Sequence, residues 1–143
     1  MHKVFGIKKA VEYTDRKGAY LIPVKGNKAA VIKTTKGYFL LGGGIENGET
    51  DENCILRECL EEVGCEARVG KFVCSAESYT EHSDIGHFHP IQNYYLGEMS
   101  RQIAEPKEKD HSLEWVEYKE LKGKLFVPMQ NWALDVCMSA LKK

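Results

Sequence analysis

The chain has 143 residues, of which 43% are hydrophobic and 29% charged, with a formal net charge of −1. Those proportions are ordinary for one globular domain over 1–143, and the near-zero charge argues against a general nucleic-acid binder. Five cysteines (Cys54, Cys59, Cys65, Cys74 and Cys137) with no C-x-x-C pair argue against a disulfide framework or a zinc site and point to reduced thiols in a cytoplasmic protein. No apolar run is long enough to span a bilayer, and MHKVFGIKKA lacks the apolar core of a signal peptide, so no membrane partner is expected.

In chain order, residues 1–10 read as a basic lead-in whose Val4, Phe5 and Ile7 can pack as an edge segment. Val11 to Thr14 is predicted as a short strand, Asp15 to Gly18 as a turn and Ala19 to Val24 as a buried strand. Lys25 to Lys28 makes a hairpin turn into a return strand over Ala29 to Lys33. Tyr38 to Leu41 then leads into a glycine turn, Gly42-Gly43-Gly44.

Thr50 to Val63 has the marks of a helix. Thr50 suits the N-cap, Asp51 and Glu52 place negative charge in the first turn, and Gly64 suits the left-handed position past the end. At about 100° per residue, Leu56, Cys59, Leu60 and Val63 share the apolar face. Glu58, Glu61 and Glu62 lie nearly opposite and repel one another unless a cation lies between them. Such a carboxylate set suits a hard divalent ion, Mg²⁺ or Mn²⁺, although most glutamate clusters are solvated helix faces.

Beyond the helix, residues 66–80 read as one long or two short strands broken near Gly70, with Ala67, Val69, Phe72, Val73, Ala76 and Tyr79 inward. Residues 81–86 read as a loop, His87 to Gly97 as containing a strand, and Ser100 to His111 as a long polar loop. Ser112 to Tyr118 is predicted as a strand that buries Leu113 and Trp115 or Val116. Glu120-Leu121 starts a short helical turn. Pro128 opens a final helix with Met129, Trp132, Ala133, Val136, Cys137 and Leu141 on its stripe. This order implies an α/β (α+β) layered domain with a mixed sheet.

The spacing Gly43-x5-Glu49-x7-Arg57-Glu58-Cys59-x-Glu61-Glu62-x-Gly64-Cys65 resembles the box of the Nudix hydrolase family, G-x5-E-x7-R-E-U-x-E-E-x-G-U, where U is bulky and apolar. All seven fixed positions match, which by chance would occur with a frequency on the order of 10⁻⁶ or less. Two features depart from the pattern: both U positions are cysteine, and Leu41 stands where many members have proline.

The resemblance implies an α/β/α sandwich with a mixed central sheet. It also implies hydrolysis of the diphosphate linkage of a nucleoside diphosphate derivative by metal-activated water. Glu58, Glu61, Glu62 and the backbone carbonyl of Gly42 would hold Mg²⁺ or Mn²⁺. Arg57 would orient the carboxylates by forked hydrogen bonds, with Glu49 as its partner or near a metal-bound water. Glu58 is the first choice for general base. Glu105, Glu108 and Asp110 precede Trp115 where relatives often carry a further acidic residue; singly each reads as solvated surface, together they are candidates for a ligand or base. His82, His87 and His89 read as loop histidines. Tyr79, Tyr94 and Tyr95 read mainly as strand packing; Tyr94 and Tyr95 must point to opposite faces.

The partner is then a nucleotide-type small molecule. Marks for ADP-ribose and dinucleoside polyphosphate subgroups are absent, which leaves a MutT-like substrate such as a nucleoside triphosphate by exclusion. The resemblance leaves a homodimer open, because many relatives dimerise. A non-catalytic nucleotide sensor on the same fold is the alternative, against which the intact box and the lack of room for a DNA-binding domain both speak.

Overall fold

The computed structural model describes residues 1–142. Its elements are β1 (His2–Phe5), β2 (Thr14–Lys25), β3 (Lys28–Thr34), β4 (Gly37–Phe39), β5 (Leu41–Gly44), α1 (Asp51–Val63), β6 (Cys65–Ser78), β7 (Thr80–His82), β8 (Gly86–Gln102), β9 (Ser112–Glu117), α2 (Tyr118–Leu121) and α3 (Pro128–Ala140). The strands form one mixed sheet ordered β1-β6-β8-β2-β3-β4, with β5 paired to β2, β7 to β8 and β9 to β3. The pairs β1–β6 and β2–β8 are parallel; the others are antiparallel.

Strand alternation divides the core into two layers. Ala19, Leu21, Ala30 and Ile32 pack with Cys54, Ile55, Cys59 and Val63 of α1. Ile22, Ala29, Val31 and Tyr94 pack with Met129, Ala133, Leu134 and Cys137 of α3. The sheet is therefore sandwiched between α1 and α3, as expected. Tyr94 and Tyr95 do fall on opposite sides, one in each layer.

Several local expectations are corrected. Asp15 to Gly18 is not a turn: it continues β2, because Thr14 to Pro23 is held in register along Phe88 to Gly97 of β8. Pairing with a long neighbour overrides the turn-prone composition, and of Val11 to Thr14 only Thr14 is in a strand. Gly42 to Gly44 is likewise a strand, with Gly18 opposite Gly44 and Leu21 opposite Leu41. Leu41 is fully buried there. Residues 80–82 form β7, which makes a hairpin with β8, and β8 runs on to Gln102, which shortens the expected loop. Residues 65–78 form one strand whose register shifts between Val69 and Phe72, and this irregularity leaves Phe72 exposed.

The rotation of the helices also differs. Leu56 and Leu60 are exposed, and Cys54 and Ile55 take the buried places on α1 beside Cys59 and Val63. The buried stripe is thereby turned towards the carboxylates. In α3, Gln130, Leu134 and Met138 are buried and Leu141 is exposed.

The ends of α1 match the sequence. The Asn53 N–H donates to Thr50 Oγ1 at 3.1 Å, and Gly64 sits at φ 67° with its N–H on the carbonyls of Cys59 and Leu60. The Gly64 carbonyl accepts from Ile103 at 2.8 Å and Ala104 at 3.1 Å, and a Cβ on Gly64 would collide with the Ala104 carbonyl. Gly64→Ala is therefore expected to destabilise the fold by about 1–3 kcal/mol, measured by urea unfolding.

Candidate active site

Strand β5 brings the glycines beneath α1. Gly42 has φ 136°, and a Cβ there would strike the backbone of Ala19 and Tyr20; one on Gly43 would strike the Glu58 carboxylate. The glycines thus allow close approach of strand, strand and helix rather than a reversal of the chain. The Gly42 N–H donates to Glu62 Oε1 at 3.1 Å, and the Cys54 thiol donates to the Gly43 carbonyl at 3.4 Å.

Arg57 is the hub of the box. Its Nε and Nη2 donate to the two oxygens of Glu49 at 2.6 and 2.9 Å. Its Nη1 donates to Glu58 at 2.7 Å and lies 3.4 Å from Glu61, while Nη2 also reaches the Gly44 carbonyl at 3.1 Å. The fork holds the Glu49 carboxyl down at about 2, with help from the Glu46 N–H. The charges around Arg57 raise its own pKa further, mostly through Glu49.

Glu62 behaves in the opposite way. Burial pushes its pKa up to about 9, the Gly42 N–H only partly offsets this, and Glu58, Glu108 and Glu61 add repulsion. Burial also raises Glu58, outweighing its bond to Arg57. Among the described residues no basic side chain lies within 4 Å of a Glu62 oxygen. A buried carboxylate that faces other carboxylates and lacks a counter-ion is a set of hard oxygen donors that a divalent cation fits.

A cavity of about 600 Å³ opens beside this cluster, lined by Gly42, Glu62, Glu108, Asp110 and His111 among others. One ligand atom from each of Glu108, Asp110 and His111 can be chosen so that all three lie within 4.8 Å of one another. Glu105 does not line the cavity. A second, more apolar cavity of about 380 Å³ is walled by Phe5, Phe88, Pro90, Pro128 and Met129. The two lobes share Arg16, Tyr20, His82, Gln92, Phe126 and Val127. Phe126 stacks on Phe39 with ring centroids 5.2 Å apart, held by its N–H to the Tyr38 carbonyl at 2.9 Å.

Of the three histidines, His82 alone lines the lobes. His87 lies near Glu81, and His89 bonds Asp15 at 2.8 Å and Glu77 at 2.9 Å while stacking on Tyr79. None of the three tyrosines singled out from sequence lines either lobe. The Tyr94 hydroxyl donates to Gln92 at 2.7 Å and the Tyr95 hydroxyl to Asp51 at 2.5 Å. Arg16, Tyr20, Gln92 and Gln130 were not anticipated from sequence. The signal for the first three was available in the two-residue alternation Arg16-Gly18-Tyr20 and Pro90-Gln92-Tyr94, which puts a polar set on the α3 side of two adjoining strands.

The model of the NUDIX domain family matches residues 11–136. Three of the solved structures that share the fold illustrate the likeness. The crystal structure of a MutT NUDIX hydrolase from Burkholderia pseudomallei has 21% identity and a TM-score of 0.69, covering 86% of this chain and 98% of its own. The solution structure of the E. coli ORF135 protein has 19% identity and a TM-score of 0.67, covering 89% and 91%. A NUDIX hydrolase from Nitrosomonas europaea has 15% identity and a TM-score of 0.65, covering 85% and 88%. No curated protein matches the sequence significantly. The family match spans most of the chain and its sandwich is that of these structures: the chain belongs to the NUDIX family.

Proposed function

We propose that this chain, as a single domain, is a divalent-metal-dependent hydrolase that cleaves the diphosphate linkage of a nucleotide-type small molecule, a MutT-like nucleoside triphosphate being the leading substrate. The observation that carries the reading is Glu62, a carboxyl at the polar lobe with no basic side chain within 4 Å among the described residues, on the same helix as Glu58 and Glu61, which the Arg57 fork orients.

Glu58, Glu61, Glu62 and the Gly42 backbone would hold Mg²⁺ or Mn²⁺, and Glu108 and Asp110, which line the same lobe as Glu62, would add oxygen donors. Bound there, the ion supplies positive charge against the diphosphate and makes a water acidic enough to attack near neutral pH. The protein's own part is positional. Arg57 fixes Glu49 and Glu58 in one orientation, so the carboxylates need no rearrangement as charge develops on the phosphoryl oxygens. Glu58, whose proton affinity burial raises, is the candidate to accept the proton of the attacking water. The apolar lobe, with Phe88 and Phe126 in its walls, suits a planar nucleobase.

The test is a phosphate-release screen with Mg²⁺ and Mn²⁺ over nucleoside triphosphates, dinucleoside polyphosphates, ADP-ribose and nucleotide sugars. Turnover of one class by the parent, reduced at least about 100-fold in Glu61→Gln, is the expected outcome. Nucleotide binding with no turnover of any class would replace the hydrolase with a sensor.

A further inference from the structure

Arg16 occupies a place that the box residues do not explain. It lies on β2 at the junction of the two lobes and lines both. Its guanidinium rests against Gly44: a Cβ there would stand 2.5 Å from Arg16 Nε and 2.7 Å from Nη2. Gly44 is itself fixed by pairing with Gly18 and by the Arg57 bond to its carbonyl. Its φ is not in the left-handed region, so the backbone alone does not call for glycine there; what the missing side chain leaves is a seat for the guanidinium.

Arg16 is also uncommitted. Among the described residues no carboxylate oxygen lies within 4 Å of it, whereas Arg57 is saturated by Glu49 and Glu58 and Arg68 reaches Glu98. It lines both lobes together with Tyr20, which lies further along the same strand and on the same face. A planar cation with free donors, exposed to a cleft and set between a carboxylate cluster and an aromatic-lined pocket, matches an anion that spans the two.

We infer that Arg16, seated on Gly44, binds a phosphate of the substrate's diphosphate chain and directs that chain from the carboxylate lobe towards the apolar lobe. This deepens the hydrolase reading and rests on it for the identity of the substrate, but phosphate binding can be measured without turnover. In this role Arg16 is a binding residue, and Gly44 acts only through it.

The experiment is calorimetric titration with inorganic pyrophosphate in Mg²⁺, a probe with no base or sugar, on the parent, Arg16→Ala, Arg16→Lys, Gly44→Ala and the double variant Arg16→Ala/Gly44→Ala. Loss of forked charge-assisted bonds is expected to weaken pyrophosphate binding about tenfold or more in Arg16→Ala, with partial retention in Arg16→Lys. Gly44→Ala should weaken it severalfold by displacing a guanidinium that is still present, and the double variant should be no weaker than Arg16→Ala. Mn²⁺ affinity of Arg16→Ala, read by electron paramagnetic resonance, should stay equal to or above the parent's, since a cation has been removed; a fall would mean a merely structural role and overturn the inference. Equal pyrophosphate affinity in parent and Arg16→Ala, or no binding by the parent, also overturns it. Arg16-dependent binding in a parent that hydrolyses nothing would refute the hydrolase and leave the phosphate site standing.

Discussion

Replacing Glu62 by glutamine is expected to stabilise the metal-free protein while removing its response to Mg²⁺. The folded protein holds the Glu62 proton up to about pH 9, whereas the unfolded chain releases it near 4.5. As pH rises through 4.5 the unfolded state therefore gains an advantage, and the gain stops near pH 9. At pH 7 the penalty on the native state reaches about 3 kcal/mol, from 1.36 kcal/mol for each pH unit above 4.5. Glutamine keeps an oxygen for the Gly42 N–H and has no proton to lose. Urea unfolding in chelator should then show Glu62→Gln more stable than the parent by about 1–3 kcal/mol at pH 7, with the difference gone at pH 4.5. Added Mg²⁺ should raise the parent's melting temperature and leave that of the variant nearly unmoved. A variant that is less stable than the parent in chelator at pH 7 would contradict the account of Glu62.

Arg57→Ala should have the largest combined effect. It removes two bonds to Glu49, one to Glu58 and one to the Gly44 carbonyl, and it leaves several carboxylates facing one another around a half-buried gap. Stability is expected to fall by about 2 kcal/mol or more near neutral pH. Turnover should fall at least about 100-fold, because the carboxylates lose their common orientation. Arg57→Lys should recover little of either, since an ammonium cannot make the parallel bonds to Glu49 while also reaching Glu58. The sign with pH is opposite to that for Glu62. Arg57 depresses the Glu49 carboxyl to about 2, so the stabilisation is present above 4.5 and is lost as pH falls towards 2. Denaturation curves of parent and Arg57→Ala should therefore converge in acid; curves that stay parallel from pH 7 to pH 2 would rule this origin out.

What the sequence disclosed depended on whether the signal was local. The cap at Thr50, the left-handed Gly64 and the fork from Arg57 to Glu49 all lie within about twenty residues, and each was found as expected. The rotation of α1 is not legible in the sequence because the helix carries two apolar stripes: Leu56 and Leu60 are as apolar as Cys54 and Ile55, and only the sheet decides which pair is buried. The glycines read as a turn in sequence because composition cannot separate reversal from close approach; the colliding groups, Tyr20 and Glu58, come from other elements. Gln130 carries no local signal, since it meets Gln92 across 38 residues; alternation along β2 and β8 puts Arg16 and Gln92 on one face but does not disclose that Arg16 meets Gly44 across a strand pair. For Glu105, Glu108 and Asp110, sequence offered three equivalent acids; the path of the chain after Gln102 puts Glu108 and Asp110 on the cavity and Glu105 outside it.

The helix that carries the carboxylates is tied down at both ends. At its start Asp51 accepts from Tyr95 and Asn93, and at its end the carbonyls of Glu61 and Gly64 accept from Lys107 and from Ile103 and Ala104. The remaining walls of the two lobes hang elsewhere, on the near ends of β2 and β8, the β3–β4 turn and the segment before α3. Drift can therefore rewrite those surfaces without re-aiming the carboxylates. On the proposed hydrolase reading, a scaffold divided in this way would let descendants exchange one substrate group for another while the carboxylate helix is inherited unchanged.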